Sequence, residues 1–473
     1  MSKAMKRRHF LKGLAAVSTG IAVGGALGSL PTKTFADKAE KIHPAVNGET
    51  LNADVIVVGG GPTGVAAARA AAEGGANVVL LERHGFLGGN LTASLVGTIC
   101  GLFIRASGKT HYLVGGIARE CAQTLKSRRL AFGPVSWEKI SLLPHVPWGL
   151  KNLFDEWIEK EGRVTLLLQT SLCGCELEGS RIENILFVNK AGVRRLAGKV
   201  FIDASGDGDL ACQTGTEMEG SPVQCPSLNF YMANINVKEV WAAGVIDKLQ
   251  SLAKDALEKG EYDLPWVDGT ILPTGRPGEV IVLMGRISIY GRPVNCADPE
   301  ELNYAEKEGR KQAILLARFL KAKMPGFSKA FILDTATQIG VRSTRRLVGK
   351  HVLTRDEVLK GARFDDAICR CAWPIELHAE GKSTIWEFLE SGKYYQIPYR
   401  SLLPKEIGNL IVAGRCLSAS YEAQASARMS GTCMAMGEAA GVAAVQALEK
   451  DGNVDDIDPS ELQCVLKQRG AII

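Results

Sequence analysis

The sequence predicts an α/β fold: a mostly parallel sheet carrying a β-meander, with an α+β segment inserted before the sheet is completed. Short apolar runs at 55–58, 77–81, 164–168, 200–204 and 410–413 have the continuous hydrophobicity of strands covered on both faces. An alanine-rich helical pattern at 62–74 joins the first two, giving a βαβ-type start. Between 217 and 340 the composition shifts, with denser aromatics and a clear helix over 304–323, as expected of a separate substrate or cap domain.

At 473 residues and 46% hydrophobic content the chain is long enough for a large core and two or three domains. Residues 1–36 read as a leader. They contain Lys6-Arg7-Arg8-His9-Phe10-Leu11-Lys12, a weakly apolar run over 13–30 and Thr34-Phe35-Ala36, the pattern of a twin-arginine export signal. Ser18, Thr19 and several glycines make that run too mild for a stable membrane span. The leader holds Lys3, Lys6, Arg7, Arg8, Lys12 and Lys33 and no acid, so its loss takes the formal charge from +5 to −1. No basic surplus is left to attract nucleic acid. Residues 37–52 are polar and aperiodic, a linker to the folded region. The cofactor domain is then expected at 53–216 and 341–473, with the substrate domain at 217–340 between them.

In the meander, short alternating segments over 173–200 are separated by turns at 178–180 and 190–192. Residues 119–161 read as helices broken by loops at Pro134, Pro144 and Pro147. The long small-residue pattern at 432–449 reads as a final helix, so the C-terminus completes the first domain. Twelve cysteines occur without a single Cys-x-x-Cys, which argues against iron–sulfur, zinc-ribbon, thioredoxin and c-type haem sites.

The chemistry is concentrated in glycine-rich turns after strands. Gly59-Gly60-Gly61-Pro62-Thr63-Gly64 follows the first strand and opens the helix. Gly59 is placed to make the turn, Gly61 to admit a pyrophosphate and Gly64 to let helix and strand pack closely. Glu82 ends the second strand, where a carboxylate accepts ribose hydroxyls, which fits FAD or NAD rather than NADP. Arg83 to Asn90 continue from it with a Gly88-Gly89 pair suited to a flavin nucleotide. Ala204-Ser205-Gly206-Asp207 and Gly414-Arg415 repeat the strand-to-small-turn logic at the carboxyl edge of the sheet.

On these motifs, together with 436–441, the chain resembles the FAD-dependent oxidoreductases of the glutathione-reductase-like Rossmann type, over most of 53–450. It looks closest to heterodisulfide-reductase-A-like flavoproteins and is related to fumarate-reductase flavoprotein subunits. The resemblance implies a Rossmann-type FAD-binding domain with non-covalent, extended FAD. It also implies a final helix whose N–H groups near Gly431, Thr432 and Cys433 face the flavin. Leu172, where the strand at 164–168 leads into the meander, belongs to the expected cofactor contacts. Covalent attachment at Cys100 or His111 is the minor alternative. The sequence departs from its relatives in lacking iron–sulfur cysteine motifs, a second nucleotide-binding unit and a redox cysteine pair, so the resemblance carries the cofactor but not the substrate.

Catalytic candidates follow from chemistry. His378 is a candidate proton relay. Arg342, Arg345 and Arg346 border the substrate segment, and Arg342 and Arg346, four apart, would clamp a carboxylate from one helix face. The expected activity is an exported oxidoreductase transferring hydride between flavin N5 and a small organic substrate, with electrons exchanged with a quinone or periplasmic carrier. The alternative is an electron-transfer flavoprotein subunit with no turnover of its own. No metal site is expected.

Overall fold

The computed structural model describes residues 48–473 apart from Ser221 and Ala243; the leader at 1–36 and most of the linker at 37–52 lie outside the described residues. The chain opens with β1 (Leu51–Val58), α1 (Pro62–Glu73) and β2 (Val78–Leu81), then β3 (Val164–Leu167). The meander follows as β4 (Ser171–Glu178), β5 (Arg181–Asn189) and β6 (Gly192–Asp203). The strands run β3-β2-β1-β6-β5-β4 across one sheet, parallel from β3 to β6 and antiparallel beyond.

The continuous apolar runs are buried on both faces. Val55, Val57, Val78 and Leu80 enter one core, while Ile56, Val58, Val79 and Leu81 enter another across the sheet. The third meander strand and the expected strand at 200–204 are one element, the twelve-residue β6. Its first half pairs antiparallel with β5 and its last residues pair parallel with the returning strand, Phe201 opposite Leu410.

The inserted sheet is β7 (Phe230–Ala233), β8 (Thr270–Pro273), β9 (Val280–Leu283) and β10 (Phe331–Thr335), ordered β8-β9-β7-β10. α2 (Pro299–Lys323) covers it, with Leu316, Phe319 and Leu320 in one core with Phe230, Met232 and Val282. Asp298 starts this helix by accepting the Glu300 and Glu301 N–H groups. β11 (Leu410–Val412) then rejoins the main sheet, and α3 (Ser430–Leu448) lies against α1.

The helices pack backbone to backbone. A Cβ on Gly437 would lie 2.1 Å from the Thr63 carbonyl oxygen, and one on Gly441 would lie 2.3 Å from that of Ala67. Residues 119–161 are not only helices and loops: Val135–Trp137 and Ile140–Pro144 form a hairpin that pairs with Thr98–Ile99. The nearly continuous burial of Ile140–Pro144, with pairing to strands on both sides, outweighs the prolines. Among the described residues no helix is long and apolar enough to cross a membrane.

Candidate active site

The turn after β1 is jammed between two strands. Gly59 has φ +102°, and a Cβ there would lie 2.6 Å from the Ala204 carbonyl oxygen; one on Gly64 would meet the Gly59 oxygen at 1.8 Å. Gly61 is different. It has φ −69°, and its nearest neighbour would be Gly89 Cα at 3.9 Å, so its missing side chain opens space rather than relieving a clash. α1 begins beside it with no side-chain cap, which leaves N–H groups of its first turn for a ligand.

Glu82 ties the two glycine loops together. Its Oε2 accepts the Gly60 N–H at 2.7 Å and its Oε1 accepts the His84 N–H at 2.8 Å, while Gly88 donates to the Gly60 oxygen at 2.8 Å. Each carboxylate oxygen retains acceptor capacity for a ribose hydroxyl.

Gly61, Thr63 and Glu82 face a cavity of about 1160 Å³, which is also lined by Arg342, Glu376, His378 and Arg428. Ligand pockets hold roughly 300–1,000 Å³, so this cavity is large enough for a ligand of dinucleotide size. The family described as FAD dependent oxidoreductase matches residues 54–466. The chain belongs to this family.

FAD fits the residues present: the space at Gly61 would admit the pyrophosphate, with the α1 N-terminus beside it and Glu82 free to accept ribose hydroxyls. An 81-residue stretch, 17% of this flavoprotein, is 40% identical to urocanate reductase of Eggerthella lenta and covers 13% of it. A 196-residue stretch, 39% of the chain, is 30% identical to digeranylgeranylglycerophospholipid reductase 2 of Methanopyrus kandleri and covers 46% of it. The chain thus spans less than half the length of either curated relative. Among solved structures, a geranylgeranyl bacteriochlorophyll reductase-like protein of Thermoplasma acidophilum is 13% identical, with a TM-score of 0.44 over 89% of this chain and 85% of that one. For p-nitrophenol 4-monooxygenase of Pseudomonas putida the values are 14%, 0.45, 89% and 84%.

Of the expected cofactor residues, Gly59, Gly61, Pro62, Thr63, Glu82, Arg83, Gly89, Asn90, Leu172, Ala204, Ser205, Gly206, Arg415 and Cys433 line the cavity. Others stand behind it. Gly64 and Gly88 shape the loops, Gly414 packs under Thr63, and Asp207 holds Arg415 at 2.7 Å while accepting the Thr344 hydroxyl. The N-terminus of α3 is less open than the resemblance implies. Gly431 donates its N–H to the Cys100 oxygen at 2.8 Å and Cys433 to Met429 at 2.7 Å, while the Thr432 hydroxyl is buried without a partner. Cys100 lines the cavity; His111 is exposed and does not.

The arginines do not share a helix face. Arg342 lies in a loop and Arg346 opens the two-residue strand Arg346–Leu347, because backbone pairing with Met218 and Glu219 extends this stretch. Arg346 is fully buried away from the cavity, bonded to the Ala419 oxygen and ion-paired with Glu219 at 2.8 Å. Arg345 bonds the Asp207 oxygen and Asp209. Of these three, Arg342 is the one that faces the cavity with no acid partner among the described residues, its Nη1 steadied by the Cys225 oxygen at 2.7 Å.

Its partners there are Arg428 and Glu376, which the sequence reading missed. Glu376 was legible through strand alternation, since it sits two residues before His378 and shares its face. Arg428 was signalled only as a lone charge in a run of small residues. His378 Nε2 and Glu376 Oε1 are 2.8 Å apart, and the Trp373 indole donates to Glu376 Oε2 at 2.9 Å. Burial would raise the Glu376 pKa, but His378, Arg428 and Trp373 outweigh it and hold the carboxyl below its usual range. Burial and the Arg342 charge hold His378 below its ordinary 6.5, so the ring is neutral at pH 7. With Nε2–H given to Glu376, its Nδ1 carries the lone pair. Burial and Arg428 lower Arg342 to about 10, which keeps it charged at neutral pH.

Gly61→Val is expected to leave apoprotein stability nearly unchanged but to weaken FAD binding at least tenfold, measured by thermal unfolding and flavin titration. Loss of both together would mean the glycine serves packing instead. The depressed pKa values also set a pH dependence. The unfolded chain binds more protons than the folded one once pH falls below 6.5, so acid lowers stability. His378→Gln removes the histidine share, and its melting temperature should decline less steeply than that of the parent between pH 6.5 and about 5. Parallel slopes would contradict the neutral buried ring.

Proposed function

We propose that this FAD-dependent oxidoreductase moves a hydride between FAD and a small organic anion. The observation that carries this proposal is the pairing of Arg342 and Arg428 with the Glu376–His378 dyad on one cavity wall. Bound FAD supplies the hydride chemistry at N5. The chain supplies charge, orientation and a proton path.

Arg428 Nε is buried with no partner, and its Nη2 is steadied only by Gln224 at 3.4 Å. A carboxylate set between the two guanidiniums satisfies those donors. It also offsets the positive charge that depresses His378. The imidazole pKa then rises toward neutrality, and Nδ1 exchanges a proton with the substrate while Glu376 steadies the other nitrogen. The sequence relatives are named as reductases, which supports electron flow from flavin to substrate. The leader at 1–36 supports work outside the cytoplasm, with electrons arriving from a quinone or periplasmic carrier.

Two tests follow. Arg428→Gln is expected to weaken binding of carboxylates to the holoenzyme about 10- to 100-fold, the value of a charge-assisted hydrogen bond, with FAD content kept. Unchanged affinity, read from flavin absorbance during titration, would remove the clamp. Replacing Arg7 and Arg8 together with lysine is expected to leave folded, FAD-loaded protein in the cytoplasmic fraction; unaltered export would refute the twin-arginine route.

A further inference from the structure

The wall beside the dyad is aromatic. The strand Ile375–Leu377 pairs with Ile385–Glu387 so that Glu376 stands directly opposite Trp386, and the two side chains share a face. Trp386 is tilted against Trp137 with ring centres 5.2 Å apart, and Phe388 stacks on it at 5.9 Å with planes 16° apart. All three rings line the cavity and none is buried. The rings come from two separate hairpins, Val135–Trp137 with Ile140–Pro144 and the one just described, so the fold brings them together at this wall. Partly exposed aromatic rings clustered on a concave surface mark a binding site for an apolar body. On the other side of the dyad, Trp266 meets the His378 ring edge-on at 5.3 Å, and its indole nitrogen is buried with no partner.

Charge limits the ligand further. Of the other arginines on the cavity wall, Arg345 and Arg415 are already paired with Asp209 at 2.6 Å and Asp207 at 2.7 Å, and Arg83 lies beside Glu82 at the glycine loops, where it donates to Gln338. Among the described residues one anion clamp therefore stands beside the aromatic slot, with no second clamp next to it for a dicarboxylate.

We infer that the site takes an aromatic monocarboxylate, its acid group between Arg342 and Arg428 and its ring against Trp386 and Trp137. The inference rests on the anion clamp proposed above and adds the body that the clamp holds. Stacked π faces favour a planar aromatic ring over a saturated chain of equal size.

The test is equilibrium binding to the oxidised holoenzyme by calorimetry, with cinnamate, hexanoate, succinate and benzyl alcohol as probes. Cinnamate is expected to bind at least tenfold more tightly than hexanoate or succinate. Trp386→Leu should erase that margin while hexanoate affinity and FAD content stay near those of the parent, and Trp386→Phe should keep part of it. Equal binding of cinnamate and hexanoate, both still weakened by Arg428→Gln, would overturn the aromatic slot and leave the anion clamp standing. Binding of benzyl alcohol as tight as that of cinnamate, unaffected by Arg428→Gln, would overturn the clamp and the inference together.

Discussion

The contact between α1 and α3 is closer than side chains allow. Gly437 and Gly441, one turn apart, let the α3 backbone rest on the Thr63 and Ala67 carbonyls, where any Cβ would collide. Because Thr63 belongs to the first turn of α1, that contact also sets how the phosphate-binding turn is presented. Gly414, after β11, closes on the same residue, its would-be Cβ lying 2.5 Å from the Thr63 hydroxyl. Segments separated by some 350 residues thus converge on one threonine, and the cavity takes its shape from that convergence.

The charged groups opposite are held under tension. Two arginines, a carboxylate and a neutral histidine occupy a partly dehydrated wall, where like charges lower one another's proton affinity. Such an arrangement costs stability when nothing bridges the cations and recovers it when an anion does. The same wall that depresses His378 in the free protein therefore makes its protonation responsive to what is bound.

Most of the glycine-loop side of the cavity was legible in the sequence because it depends on local rules. A strand, three glycines, a helix and a terminal acid each have a backbone reason to stand where they do, and Gly59, Gly61, Gly64 and Glu82 all lie where those rules place them. The substrate side was less legible because it is assembled from distant segments. Arg342, Glu376 and Arg428 belong to a loop, a short strand and a helix junction that no spacing connects. Arg346 shows the hazard of spacing alone: a four-residue interval suggests one helix face, yet pairing with Glu219 turns the stretch into a strand and buries the guanidinium away from the site. The hairpin at 135–144 was hidden for a related reason, since its partner at 98–99 lies well upstream and its prolines read as breaks.

The long strand β6 serves two neighbours along one edge, β5 first and β11 last. That arrangement gives the protein a clock. A ribosome that has reached residue 400 has already released every part of the glycine turn and of Glu82, but not the strand that closes the sheet nor the helix that buttresses the turn. The cavity is thereby complete only once the segments at 410–448 have been made and have folded against the glycine turn.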